Sequence, residues 1–290
     1  MRNAEIGIRD VQMELWIWRH LGIRLPGDWE MLQYSLKMES GRCAFADRYG
    51  FRFEMTWRRV DGPPDFDRML SDYQAKLTED GMENGHRITN AGIDGLKGTM
   101  NGDTITRFGR YAAGESCLVE LVFPWPDGRD KELEREVLES FQEVPAYADG
   151  CRRWRAFGMD AKVPARLTLE GCRAEPALTE WSFVDKHHRT VLRCARRGMV
   201  KEWMNESVHS WLEREVRPDA RPPAHWRHEQ RGGHAVDRVE GRALPQGWLR
   251  RKRHLQSEAW ICQGDGRLYS WIAENAADMP SEPLRCCGEG

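Results

Sequence analysis

Histidines and cysteines are weighed first, because imidazole and thiolate bind metals and serve as bases and nucleophiles. His225 and His228 stand three apart, His234 follows, and Cys286-Cys287 lies near the end of the chain. Zinc would need three or four such ligands converging at about 2.0–2.3 Å. Arg227 puts a cation between the first two histidines, and a proline-rich stretch precedes them. The sequence therefore predicts surface histidines and no metal. A nucleophilic pair could draw on Cys117, Cys194 or Cys262, with His187, His188 or His254 as base. It would need a depressed thiol pKa and a base within hydrogen-bond reach. Cys117 and Cys262 instead fall in strand-like segments, where cysteine packs as a small apolar residue. The acids Asp130, Glu132, Glu134, Glu136, Glu139 and Glu143 are expected to spread over the solvated face of one helix.

The strong catalytic signatures are missing. There is no Gly-x-Gly-x-x-Gly and no phosphate-binding loop ending in Gly-Lys-Ser/Thr; Gly92, Gly95 and Gly98 have the wrong spacing. Gly114-Glu115-Ser116-Cys117 lacks the second glycine of a nucleophile elbow. Neither His-Glu-x-x-His nor Cys-x-x-Cys occurs. No catalytic residue and no cofactor are assigned, and the reading is a non-enzymatic protein.

Two features point to binding. Thirteen tryptophans in 290 residues is several times ordinary usage, and a buried indole N–H wants a partner. At least one of Trp16, Trp18, Trp154 and Trp226 is expected where the two halves of the chain meet, and Trp203 and Trp211 in a helix core. Arg250-Arg251-Lys252-Arg253 is the candidate anion site. Four cations on both faces of one strand cannot be buried cheaply, so the segment is expected either at a sheet edge, where charge also blocks aggregation, or exposed on one face.

These residues must be positioned by elements readable from period. Val11, Met13, Leu15 and Ile17 alternate as in a strand, and Phe51, Phe53, Met55 and Trp57 do so again. Phe66, Met69, Leu70, Tyr73 and Leu77 follow helical spacing after Asp65, and Gly81 is placed to stop the helix. Strands follow near Thr104–Tyr111 and Glu115–Phe123, then a helix marked by Leu133, Val137 and Phe141. Val200, Trp203, Met204, Trp211, Leu212 and Val216 suggest one long helix in the second half, and Arg217 to Pro223 a long loop. Strands are expected at Trp248–Leu255, Glu258–Gln263 and Arg267–Ala273.

This order occurs twice. Trp18-Arg19-His20-Leu21-Gly22-Ile23 is echoed by Trp154-Arg155-Ala156-Phe157-Gly158-Met159, and Phe45-Ala46-Asp47-Arg48 by Phe183-Val184-Asp185-Lys186. Self-similarity of this kind signals duplication. The expected domains are 1–147 and 148–290, the second with a shortened final helix. The expected class is α+β, two tandem domains each with a mainly antiparallel sheet covered by helices.

Ile23-Arg24-Leu25-Pro26-Gly27-Asp28-Trp29 resembles the opening strand and turn of the PsbP/Mog1-like α/β/α sandwich group, and Leu138-Glu139-Ser140-Phe141 its closing helix. The resemblance covers 11–144 and weakens over 151–287, where Pro164 is kept but the following Trp is missing. It implies an accessory or binding protein and carries over no catalytic residue.

Bulk properties fit this reading. With 40% hydrophobic and 31% charged residues the chain is globular rather than disordered. Met1-Arg2-Asn3-Ala4-Glu5 is not a secretory start, and no apolar run approaches the roughly 20 residues of a membrane span. The expectation is a cytoplasmic binding or scaffold protein with reduced cysteines, a protein partner and no membrane. The net charge of −2 hides an acidic first half and a basic second half. The alternative is therefore a nucleic-acid or other polyanion binder through the second half, with an enzyme of unknown reaction a further alternative.

Overall fold

The computed structural model describes residues 12–187, 189–216, 220–243, 253–275 and 279–286. The chain divides into two units, Met1–Pro145 and Ala146–Gly290.

The first unit opens with the hairpin β1 (Met13–Trp18) and β2 (Leu21–Pro26). There follow β3 (Glu30–Tyr34), β4 (Ser40–Ala46), β5 (Phe51–Arg59), α1 (Phe66–Glu79), β6 (Glu83–Asn90), β7 (Ile93–Met100), β8 (Asp103–Ala112), β9 (Cys117–Trp125), α2 (Lys131–Ser140) and β10 (Gln142–Glu143). Strands β3 to β9 make one antiparallel sheet in the order β3-β4-β5-β9-β8-β7-β6, and β10 joins the hairpin beside β2. Strand alternation sorts the side chains. Phe45, Phe53, Phe108 and Phe123 share one face as a chain of aromatic contacts. The hairpin covers that face, with the Trp16 and Phe45 rings edge to face at 5.3 Å. Helix α2 lies on the same face: its buried Glu134 accepts from Thr106 Oγ1 at 2.5 Å. Helix α1 packs on the opposite face.

The chemistry of α1 explains its limits. The Asp65 carboxylate accepts from the Arg68 N–H at 3.1 Å, an N-cap. Leu70 and Leu77, two helical turns apart, bury against Met82 and Leu96. Gly81, at φ +95°, turns the chain out.

The second unit runs β11 (Cys151–Ala156), β12 (Met159–Pro164), β13 (Thr168–Glu175), β14 (Leu178–Asp185), β15 (Thr190–Arg197), α3 (Val200–Trp203), α4 (Val208–Val216), β16 (Ala220–Arg231), β17 (His234–Ala243), β18 (Arg253–Ile261), β19 (Leu268–Glu274) and β20 (Leu284–Arg285). Its sheet order is β13-β14-β15-β19-β18-β17-β16, and β20 pairs with β12 as β10 does with β2. The two units thus repeat one topology. The turns of the two opening hairpins match as well: Arg19 and Phe157 both take positive φ. Trp154 meets Phe183 edge to face at 5.2 Å, as Trp16 meets Phe45. The counterpart of Trp154 is therefore Trp16, not Trp18 as the local sequence echo suggests.

The helix-covered α+β class is wrong. Among the described residues 55% lie in strands and 16% in helices, with four α-helices in all. The fold is dominated by antiparallel sheet. Three causes are visible. Strands β6, β7 and β16, unassigned in the sequence reading, add to the sheets. The expected long helix of the second half is two short ones, interrupted at Met204–Ser207. Between β19 and β20 no helix forms among the described residues, where the first unit has α2.

Candidate functional site

Helix α1 covers only part of its sheet face. Between it and strands β5, β8 and β9 lies a cleft of about 680 Å³ within the first unit. Its apolar side chains are Pro64, Met69, Leu70, Leu96 and Leu118, and its polar lining includes Tyr73, Arg107 and Glu120. Trp57 and Phe108 border it by backbone only, since their rings alternate to the opposite face. Register explains why the polar three converge. Glu120 sits opposite Gly109, so Arg107, two residues from Gly109, is on the same face one diagonal away. Gly109 itself gives α1 room: a Cβ there would come within 3.3 Å of Phe66 and 3.4 Å of Met69. Tyr73 comes down from α1.

The Tyr73 hydroxyl donates to Glu120 Oε1 at 2.6 Å. Arg107 Nη1 donates to the Tyr73 oxygen at 2.9 Å and to Glu120 Oε1 at 3.1 Å. Burial, reinforced by the Glu120 carboxylate, holds the Tyr73 hydroxyl well above the ordinary phenol range. Tyr73 is thus a neutral donor, not a base. Among the described residues Arg107 commits Nη1, and its buried Nε has no hydrogen-bond partner. The cleft offers a cation, a phenol and a carboxylate beside the apolar side chains of Met69, Leu70, Leu96 and Leu118. These groups can bind and orient a ligand.

Each of the four tryptophans expected between the halves has a partner within its own unit. Trp16 and Trp154 meet Phe45 and Phe183 edge to face. Trp18 donates its indole N–H to the Ser35 carbonyl at 3.1 Å. Trp226, half-buried, lies 4.2 Å from the His209 ring. Trp211 is core at 3% exposure, whereas Trp203 is 38% exposed and donates to the Gly198 carbonyl. The helix break turns Trp203 off the face it was expected to share.

Arg250, Arg251 and Lys252 lie outside the described residues. Arg253 opens β18, which pairs with β17 on one side and β19 on the other. The strand is interior to the sheet, not an edge. Two further cations of that half, Arg231 and Arg238, are engaged by the fully buried Glu258.

The histidines separate. His225 is exposed. His228 pairs with Asp237, and His209 Nδ1 lies 3.7 Å from the same carboxylate oxygen. His234 is buried, against the surface reading, and comes together with Cys262 and Cys286. Cys287 and His188 lie outside the described residues. Burial pushes the Cys194 thiol up to about 12 and raises that of Cys117, the reverse of what a nucleophile needs. Among the described residues no disulfide forms. Glu134 is not on a solvated face: it is fully buried, bonded to Arg129, Asn90 and Thr106. No helix among the described residues is long and apolar enough to cross a membrane.

No family model matches the sequence, and no curated protein does. Among solved structures the chain is similar to a protein from Bacteroides thetaiotaomicron VPI-5482, whose crystal structure is at 1.50 Å resolution. The two are 12% identical, with a TM-score of 0.30. The match covers 47% of this chain and 50% of that one, so it spans about half of its neighbour. A likeness of that size assigns neither fold nor function.

Proposed function

We propose that the protein is a binding protein whose first unit takes a small, largely apolar ligand bearing an anionic group, seated in the cleft beneath α1. The supporting observation is Arg107, a half-buried guanidinium at the wall of an apolar cleft that commits one of its nitrogens to Tyr73 and Glu120. A cleft of about 680 Å³ suits a drug-sized molecule, and a few polar groups among apolar side chains are the usual make-up of such sites. The guanidinium supplies charge and planar geometry for a carboxylate. Tyr73 and Glu120 hold Arg107 in place.

A panel of aromatic and aliphatic carboxylates, with the matching neutral amides, tests this by ligand-observed NMR. Carboxylates should bind in preference to amides. Arg107→Gln should weaken them about tenfold or more, the size of a hydrogen bond to a charged group. Tyr73→Phe should weaken them less. Failure of every carboxylate, or equal binding by wild type and Arg107→Gln, rejects the reading.

A further inference from the structure

In the second unit, His234 opens β17, and Cys262 directly follows β18. Val236 and Trp260 face each other across these strands. His234 is two residues before Val236, and Cys262 two after Trp260. Alternation therefore puts all four on one sheet face. Cys286 reaches the same spot from the end of β20. Its sulfur lies 3.3 Å from His234 Nε2 and accepts the Trp260 indole N–H at 3.2 Å. The ligand atoms of His234, Cys262 and Cys286 all lie within 4.8 Å of one another.

We propose that His234, Cys262 and Cys286 form a zinc site that fastens the C-terminal strand of the second unit to its sheet. Tetrahedral zinc with Zn–S near 2.3 Å and Zn–N near 2.0–2.1 Å sets N···S at about 3.5 Å and S···S at about 3.8 Å. The observed 3.3 Å and the 4.8 Å limit need only small side-chain adjustments. Two thiolates and a neutral imidazole are a soft set that favours zinc over magnesium or calcium. Binding releases the two thiol protons, and Zn²⁺ with two thiolates sums to zero charge. That neutrality suits a site where His234 and Cys262 are buried. The Trp260 N–H on the Cys286 sulfur would steady the thiolate from the outer shell. The fourth position is left for water.

The repeated topology shows what the site replaces. In the first unit the same sheet face is covered by α2, and the terminal strand is held at Glu143, whose carboxylate accepts from the Gly114 N–H just past β8 at 3.0 Å. In the second unit β20 ends just past β18, the counterpart of β8, and among the described residues no helix precedes it. The His-Cys-Cys cluster stands where the helix and the carboxylate contact stood.

The test uses the full chain, reduced and freed of metal, titrated with Zn²⁺ and with Co²⁺. One equivalent should bind, and cobalt should show thiolate charge-transfer and tetrahedral visible bands. Cys262→Ser and Cys286→Ser should each weaken Zn²⁺ by more than about 100-fold, beyond the usual outer-shell effect, and Trp260→Phe by about tenfold. Cys172→Ser, remote from the cluster, should change nothing. If a variant fails to fold, alkylation of the wild-type chain decides: zinc should protect Cys262 and Cys286 in peptide maps. No thiolate band, protection of other cysteines, a Cys262–Cys286 disulfide that forms in preference to metal binding, or metal lost only on replacing His209 or His228 would each overturn the proposal.

Discussion

A residue acts through the groups that face it, and Asp47 shows how finely the balance is set. Burial pushes its carboxyl upward, but the Tyr49 and Gly50 N–H groups and the Arg52 guanidinium outweigh that and hold it below the ordinary range. A carboxyl whose pKa is lowered by folding stabilises the fold above its unfolded pKa of about 3.9. That contribution fades as pH falls through the lowered folded value. Asp47→Asn should therefore cost stability at neutral pH, and wild type and variant should converge as the solution is acidified toward pH 2. Urea unfolding at stepped pH measures this; a gap that stays constant down to pH 3 or widens on acidification contradicts it. The same scale explains what the sequence could not show of the candidate sites. Arg107, Tyr73 and Glu120 are separated along the chain and carry no motif; only register and one helix face join them. His234 was visible beside Cys286, but Cys262 reads as an ordinary core residue until β17 and β18 are paired.

At the scale of elements, legibility followed burial. β5, β8 and α1 were plain because one of their faces is apolar and the other polar, so the period shows. β6 reads Glu-Asn-Gly-His-Arg-Ile-Thr-Asn and is mostly exposed at a sheet edge. With no apolar face it leaves no alternating trace. β16 contains Pro222-Pro223, a loop signal, yet the strand is at the other sheet's edge and its pairing slips between Arg221 and His225. Edges and bulges are where a strand tolerates proline. The helix expected from Val200 to Val216 kept its apolar spacing across a break that only the backbone reveals. One glycine shows how tightly the pairing binds. A Cβ on Gly95 would fall 2.3 Å from the Arg107 carbonyl oxygen and 2.6 Å from the Phe108 ring. The first of these is backbone and cannot rotate away. Gly95→Ala should therefore separate β7 from β8 and cost at least about 1–3 kcal/mol, the usual range for overpacking. Gly62→Ala, where a Cβ would meet nothing within 4 Å, is the comparison for glycine removal without crowding. Equal urea midpoints for Gly95→Ala and wild type would show that the strands shift without penalty.

At the scale of the whole molecule, the question is whether the basic second half leaves the chain a polyanion binder. The argument turns on compensation rather than on composition. A nucleic-acid surface needs several cations that reach phosphate together, since each neutralised phosphate adds to affinity and to its salt dependence. Of the cations that could support Arg253, Arg231 and Arg238 are already held by Glu258, which is fully buried and also accepts the Trp271 indole N–H at 3.0 Å. Freeing them would leave a buried carboxylate without its partners, which costs about 3–5 kcal/mol. The net charge of −2 adds no long-range attraction. The full chain should therefore give no mobility shift with mixed single- and double-stranded DNA or RNA at about 150 mM salt. Any weak shift at low salt should vanish steeply as salt rises. Replacing Arg250, Arg251 and Lys252 together with alanine separates the two cases. If the triple variant abolishes a micromolar or tighter affinity measured at physiological salt, those three residues carry a phosphate surface that Glu258 does not reach, and the compensation argument fails.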